Sequence, residues 1–202
     1  MKKSTCIVLF CAFFLSASAS LEARRGKSGS ISLANIPANI NEFKALRSRM
    51  GKTPQSGAAL FIAAMILYGK NAKQGLECFT YALDRSNLTR NRKLDSGLGP
   101  SMSFMYYIKQ LNKRKYLGGA YIRGTSHKNA YRIPEGAPLK IDYVQFTVRG
   151  NRAKLYIKTT SGNRPRPLTL LRNNRGIWKV KYASSLFVGV MRRPAKTIDD
   201  NL

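Results

Sequence analysis

Hydrophobic residues recur with helical spacing through the first half of the chain. Apolar positions three and four residues apart predict an amphipathic helix over about 37–50, and a wholly apolar stretch predicts a buried helix over about 58–68. The same spacing predicts two further helices, over about 72–83 and about 101–117. The first half of the chain is therefore predicted to be a helical layer of about four helices.

The pattern changes after Pro138, where apolar and polar residues begin to alternate. Alternation over about 144–148 and 154–158, on either side of Gly150-Asn151, predicts a β-hairpin. Three further strands are predicted at about 168–172, 177–183 and 186–191. The predicted fold class is α+β, with about four N-terminal helices packed on a C-terminal antiparallel β-meander of about five strands.

The N-terminus has the three parts of a signal peptide. Lys2 and Lys3 precede an apolar run over 6–15, and the small residues Ala17-Ser18-Ala19 follow it. Cleavage after Ala19 is expected, which places the protein outside the cytoplasm, either in a periplasm or secreted. The alternative is an uncleaved membrane anchor, although the run is about half the roughly 20 residues that span a bilayer. No transmembrane span is expected once the signal is removed.

The remaining chain is predicted to fold as one domain. Residues 20–32 are rich in Arg, Lys, Gly and Ser and predict a flexible basic lead-in, residues 33–194 predict the α+β domain, and residues 195–202 form a C-terminal tail. Cleavage of the signal leaves Cys78 as the one cysteine, so an intramolecular disulfide is excluded. Cys78 lies in an apolar helical stretch and is expected to be a buried, inert thiol.

Charge is the bulk property that bears most on function. The chain has 36 Lys and Arg against nine Asp and Glu, a formal net charge of +27, which falls to +25 when Lys2 and Lys3 leave with the signal. Such a surface attracts polyanions, so the expected partner is an anionic polymer or an envelope surface. The alternative is that the charge serves only to keep the protein soluble.

The outer face of the predicted sheet supplies a candidate binding site. If Leu155 and Ile157 point into the core, the alternate positions of their strand point outward, and the strand with Trp178 adds two more lysines. Cations around an aromatic ring are typical of polyanion binding, and arginine suits forked contacts with phosphate, sulfate or carboxylate. The predicted anion-binding residues are Lys154, Tyr156, Lys158, Arg164, Arg166, Arg172, Arg175, Lys179 and Lys181. The alternative is a solvated lysine-rich face that prevents edge-to-edge sheet pairing.

Residues that support catalysis or metal binding are scarce. The chain has one His and nine acidic residues, and the G-x-S-x-G, G-x-x-x-x-G-K-[ST] and H-E-x-x-H motifs are absent. We therefore predict no catalytic residues, no metal site and no cofactor. The alternative function is a small-ligand pocket or enzyme site between helices and sheet, in which His127, Tyr131 and Asp142 are the residues to test.

Four segments resemble an uncharacterised bacterial family of exported proteins, a domain of unknown function. They are TPQSGAAL over 53–60, GTSHKNAY over 124–131, SGNRPRP over 161–167 and GIWK over 176–179. The resemblance covers about residues 32–194 and implies a helical N-terminal half, a β-meander C-terminal half and no particular activity. An acidic residue often precedes the Arg-Pro element in that family, whereas Asn163 precedes Arg164 here, so the resemblance implies no acid-dependent role.

Overall fold

The structure is a computed structural model that describes residues 23–135, 138–162 and 164–194. The predicted signal peptide over 1–19 and the predicted tail over 195–202 lie outside the described residues. Within those ranges the fold is α+β, with helices mainly in the first half and an antiparallel sheet mainly in the second, as predicted. None of the described helices combines the length and the apolar character that crossing a bilayer requires.

Five helices form the helical layer: α1 (Ile40–Met50), α2 (Pro54–Lys70), α3 (Ala72–Ala82), α4 (Met102–Ile108) and α5 (Gln110–Lys113). The helix predicted over 101–117 is interrupted at Lys109 and so becomes α4 and α5. Side-chain oxygens cap α1 and α2 at their first turns: Asn39 accepts from the N–H groups of Asn41 and Glu42, and Thr53 accepts from the N–H of Ser56.

The main sheet has six strands: β1 (Arg24–Gly26), β2 (Gly29–Leu33), β5 (Leu139–Arg149), β6 (Arg152–Ile157), β7 (Arg166–Arg172) and β8 (Trp178–Tyr182). Its order is β1-β5-β6-β7-β8, and β2 pairs with the first half of β5 while β1 pairs with the second half. The remaining strands, β3 (Leu88–Arg90) and β4 (Leu98–Pro100), form a separate small hairpin.

The segment predicted to be a flexible basic lead-in instead contributes β1 and β2. Ile31 and Leu33 of β2 are buried, and Ile31 lies directly opposite Ile141 of β5. Pairing with β5 satisfies backbone groups on the edge that β6 leaves open, and the two apolar side chains close the core at that edge. The prediction of a flexible lead-in over residues 20–32 was therefore wrong for the residues that form β1 and β2.

The strand predicted over about 186–191 is also absent, and a short 3-10 turn over Ser184–Phe187 takes its place. Two features explain the difference. Leu186 and Phe187 are adjacent and both fully buried, which a strand with alternating faces does not allow. In addition, the outer edge of β8 is already occupied, because Asp84 donates its N–H to the Val180 carbonyl at 2.8 Å.

Helix α2 forms the centre of the core. All its residues from Gly57 to Tyr68 are buried, and the helix contacts β2, β6, β7 and β8 on one face of the sheet. Phe61 packs edge-to-face against three other rings, with centroid distances of 5.3 Å to Phe79, 6.0 Å to Phe104 and 6.2 Å to Phe187. On the other face of the sheet, Arg152 and Lys154 of β6 are exposed, so no described helix covers that part of the face.

Helix α3 lies beside α2 and contains the single described cysteine. Cys78 is a free thiol with no exposed surface, as predicted. Burial, with a smaller effect of the neighbouring Glu77, raises its pKa to about 12. Because a thiol reacts as the thiolate, Cys78 is suited to packing and not to chemistry.

Candidate functional site

The sheet face opposite α2 carries the side chains that alternate with the core. In β6, Ala153 and Leu155 are buried whereas Arg152 and Lys154 are exposed, which is the predicted alternation. This outer face is therefore the surface on which the predicted binding residues have to be located.

Strand register brings four cations together on that outer face. Thr147 of β5 lies opposite Arg25 of β1 on one side and opposite Lys154 of β6 on the other. Two residues further along, Arg149 of β5 lies directly opposite Arg152 of β6. Residues directly opposite each other, or two apart on one strand, share a face, so all four cations point the same way.

These cations line a shallow groove of about 480 Å³, within the range of small-ligand sites. We call it the basic groove and define it by Arg25, Arg149, Arg152, Lys154 and Tyr156. The ammonium of Lys154 lies over the Tyr156 ring, 5.1 Å from its centroid. Among the described residues that line the groove there is no carboxylate.

The groove holds like charges, and no acidic residue among the described lining residues compensates them. Arg149 and Arg152 are a directly opposed pair, an arrangement that destabilises a sheet. Within the described ranges the one salt bridge joins Arg123 to Asp142, and neither residue lines the groove. In the described part of the chain, the electrostatic repulsion in the groove is therefore relieved by solvent and mobile ions, an arrangement that an anionic ligand stabilises.

The other predicted lysines are not part of the groove. Lys158 is exposed one residue beyond the end of β6. Lys179 and Lys181 lie on β8, two strands from β6 and so about 10 Å away. Burial, with a smaller effect of the neighbouring Arg47, lowers the pKa of Lys179 to about 8. Lys181 contacts the Ser86 hydroxyl.

The predicted loop arginines do not converge on the groove either. Arg166 lies opposite Ile157, a core-facing position, and its guanidinium donates to the Gly189 carbonyl at 2.7 Å. Arg166 therefore begins β7 and points to the helical side of the sheet, whereas the sequence had predicted a place on a loop adjoining the outer face. Arg172 lies over the Trp178 ring, 5.7 Å from its centroid, while Arg164 and Arg175 are exposed in turns.

Three of the four groove cations were missed by the sequence reasoning. Arg149 and Arg152 were assigned to the turn, although Arg152 is two residues before Lys154 and so shares its face. This two-residue spacing could have identified Arg152 as a residue of the outer face from the sequence. Arg25 offered none, because its place depends on pairing with β5, more than a hundred residues further along the chain.

The three residues of the alternative site are not brought together. Both oxygens of Asp142 are bound by the Arg123 guanidinium, while His127 is half-buried in a turn. Tyr131 lines a separate cleft that contains neither of them. Within the described ranges no group of three or more His, Cys, Asp or Glu side chains is placed to hold a metal ion.

The comparisons with known proteins identify a family and no activity. No curated protein matches the chain, and no solved structure matches it. Residues 35–194 match a family model described as a domain of unknown function, DUF6935, so the match covers well over half of the chain and begins just after β2. The chain therefore belongs to the family of the domain of unknown function DUF6935.

Proposed function

We propose that this protein is an exported, non-enzymatic binding protein that engages an anionic polymer, or the anionic surface of a cell envelope, through the basic groove. The observation that carries the proposal is the convergence of Arg25, Arg149, Arg152 and Lys154 on one open sheet face, with no carboxylate among the described lining residues. A charge excess that served solubility alone would not require cations to be placed opposite one another in a sheet.

The shape of the groove favours a polymer over a small, enclosed ligand. It is open along the sheet, and Lys158 extends the row of exposed cations beyond the end of β6. Tyr156 gives a ring against which a sugar or base of the polymer packs between charged contacts. Each anionic group that binds releases condensed counterions, so the affinity is expected to fall steeply as salt is raised.

The proposal is tested by removing the four groove cations together. Heparin serves as the anionic polymer, and binding is measured at about 0.15 M NaCl, where charges more than about 8 Å apart are largely screened. The variant in which Arg25, Arg149, Arg152 and Lys154 are all changed to Gln is expected to bind heparin at least about tenfold more weakly, a loss of about 1.4 kcal/mol. Its dependence on salt concentration should also be shallower, because fewer counterions are released.

A matched control separates the groove from net charge. Arg49, Arg90, Arg92 and Lys73 are likewise three arginines and one lysine, all exposed and none lining the groove. Changing them to Gln removes the same charge and is expected to weaken binding less than about threefold, because a screened long-range field acts weakly. Equal losses in the two variants would mean that heparin responds to overall charge and that the groove is not a site.

Export is the second part of the proposal and has its own measurement. The positively charged start, the apolar run over 6–15 and Ala17-Ser18-Ala19 support cleavage after Ala19. The intact mass of protein recovered from an expressing bacterium is expected to correspond to a chain that begins at Ser20. Full-length chain recovered solely from the membrane fraction would instead indicate the uncleaved anchor.

A further inference from the structure

A second concave region lies where α2 ends, apart from the sheet face. It is about 760 Å³ in volume and adjoins another cavity of about 860 Å³, and the two share Tyr116, Ala130, Arg132 and Arg193. Both volumes are within the range of small-molecule sites. We call the first of these cavities the aromatic cleft and define it by Tyr116, Tyr131, Arg132 and Arg193.

Two parallel rings form one wall of the aromatic cleft. Tyr116 and Tyr131 stack with centroids 5.2 Å apart and planes inclined by 8°, and the Arg193 guanidinium lies 5.3 Å from the Tyr116 centroid. The Tyr131 hydroxyl donates to the Met191 carbonyl at 2.8 Å. This contact holds the residues before Arg193 against the cleft.

The loop that carries Tyr131 is held in a strained conformation. Ala130 and Tyr131 have φ values of 55° and 57°, and they are the non-glycine residues in the described ranges with positive φ. Each non-glycine residue in this conformation lowers the stability of the fold by about 1–2 kcal/mol. The loop is held by the Tyr131 N–H, which donates to the Ser126 carbonyl at 2.8 Å, and by the Asn129 side chain, which accepts from Ser126. Strain kept by surrounding contacts is concentrated at functional sites.

The charge and polarity of the aromatic cleft are divided between rim and floor. Lys70, Lys115, Arg132 and Arg193 lie exposed at the rim, where Glu135 is the one carboxylate among the described lining residues. The floor is apolar and is formed by Ile36, Ile66 and Leu139 together with the tyrosine rings. A ligand that satisfies both parts has an apolar body and an anionic group at one end.

We propose that the aromatic cleft binds a small organic anion with a flat, apolar body, such as an aromatic sulfonate, phosphate or carboxylate. The apolar body rests on the floor beside the tyrosine rings, and Arg132 and Arg193 hold the anionic group through charge-assisted hydrogen bonds. This ligand class differs from the polymer assigned to the basic groove, because the cleft has a floor of Ile and Leu side chains, whereas the groove has four cations around Tyr156.

The test uses 8-anilinonaphthalene-1-sulfonate, an aromatic sulfonate whose fluorescence rises on transfer to an apolar site. Full-length protein is titrated with it at about 0.15 M NaCl, where distant charges are screened. The double variant Arg132→Gln with Arg193→Gln is expected to bind the probe about tenfold more weakly, or worse. The double variant Arg152→Gln with Lys154→Gln removes the same charge from the basic groove and is expected to change the affinity less than about twofold.

A variant that is expected to bind the probe more tightly serves as a control for effects on folding. Glu135 is exposed, and Glu135→Gln is expected to tighten probe binding about twofold, because it removes the one carboxylate among the described residues of the rim. Saturating heparin is expected to leave the probe bound. The proposal is wrong if the two double variants lose affinity equally, if heparin displaces the probe, or if no binding is detected up to about 1 mM probe.

Discussion

Replacing Phe61 with alanine is expected to lower the free energy of unfolding by about 4 kcal/mol. Phe61 has no exposed surface and lies at the centre of α2. Truncation removes the buried ring, leaves a cavity that neighbouring elements fill only in part, and breaks three edge-to-face contacts at once. Since a domain of this size has a free energy of unfolding of about 5–15 kcal/mol, this one substitution removes a large share of its stability.

Thermal unfolding followed by circular dichroism measures the effect. A loss of about 4 kcal/mol corresponds to a fall in Tm of about 8–16 °C for a domain of this length. Met102 provides the control, because its side chain is 82 % exposed and Met102→Ala is expected to change stability by less than about 0.5 kcal/mol. If Phe61→Ala cost no more than Met102→Ala, the aromatic cluster could not be the centre of the core.

Replacing Gly75 with alanine is expected to destabilise the protein by about 2–3 kcal/mol, although alanine is normally the better helix former by about 1 kcal/mol. Gly75 lies in α3, and a Cβ at this position would overlap the backbone N and Cα of Tyr68 in α2. Since backbone atoms cannot rotate away as a side chain does, the two helices have to separate. Helix propensity alone predicts that Gly75→Ala stabilises the protein, whereas the clash makes the substitution destabilising.

Denaturant unfolding of Gly75→Ala and of Gly162→Ala tests this prediction. A Cβ at Gly162 would meet no atom closer than 3.9 Å, so Gly162→Ala is expected to be neutral within about 0.5 kcal/mol. A stabilised Gly75→Ala variant would mean that α2 and α3 are further apart than the structure places them.

The parts of the fold that the sequence predicted are those with local periodicity. Alternation in β6 correctly separated Leu155 from Lys154, because one residue per face is a property of any strand with one buried side. The apolar run in α2 likewise predicted a central buried helix, because a helix without a polar side has no face to turn to water.

The errors arose where long-range pairing decides the structure. Nothing between Arg24 and Leu33 indicates that these residues pair with a strand more than a hundred residues further along the chain. A basic stretch rich in Gly and Ser was therefore interpreted as flexible. Similarly, alternation over 186–191 indicated a strand, but Asp84 already occupies the β8 edge to which that strand would add. Local propensity indicates which secondary structures a segment can adopt, and tertiary pairing determines which of them it does adopt.

The candidate sites were predictable to different degrees. Lys154 and Tyr156 of the basic groove followed from strand parity, whereas Arg25 depended on β1. Of the aromatic cleft, the sequence singled out Tyr131 alone; Tyr116 and Arg193 come from distant segments and only meet in the fold. The residues that define the cleft lie within the range matched by the family, while β1 precedes that range.

The pairing of β1 and β2 with β5 has a consequence for the order of folding. The hairpins formed by β5, β6 and β7 join residues that are near one another in sequence, so these contacts form quickly. Arg24–Gly26, by contrast, pairs with a strand that is synthesised only after most of the chain. The entropy of closing so large a loop is compensated only when the partner edge is already in place. We therefore expect the N-terminal strands to dock last, so that Arg25 completes the groove as the final event of folding and a nascent chain, however basic, does not yet carry the finished groove.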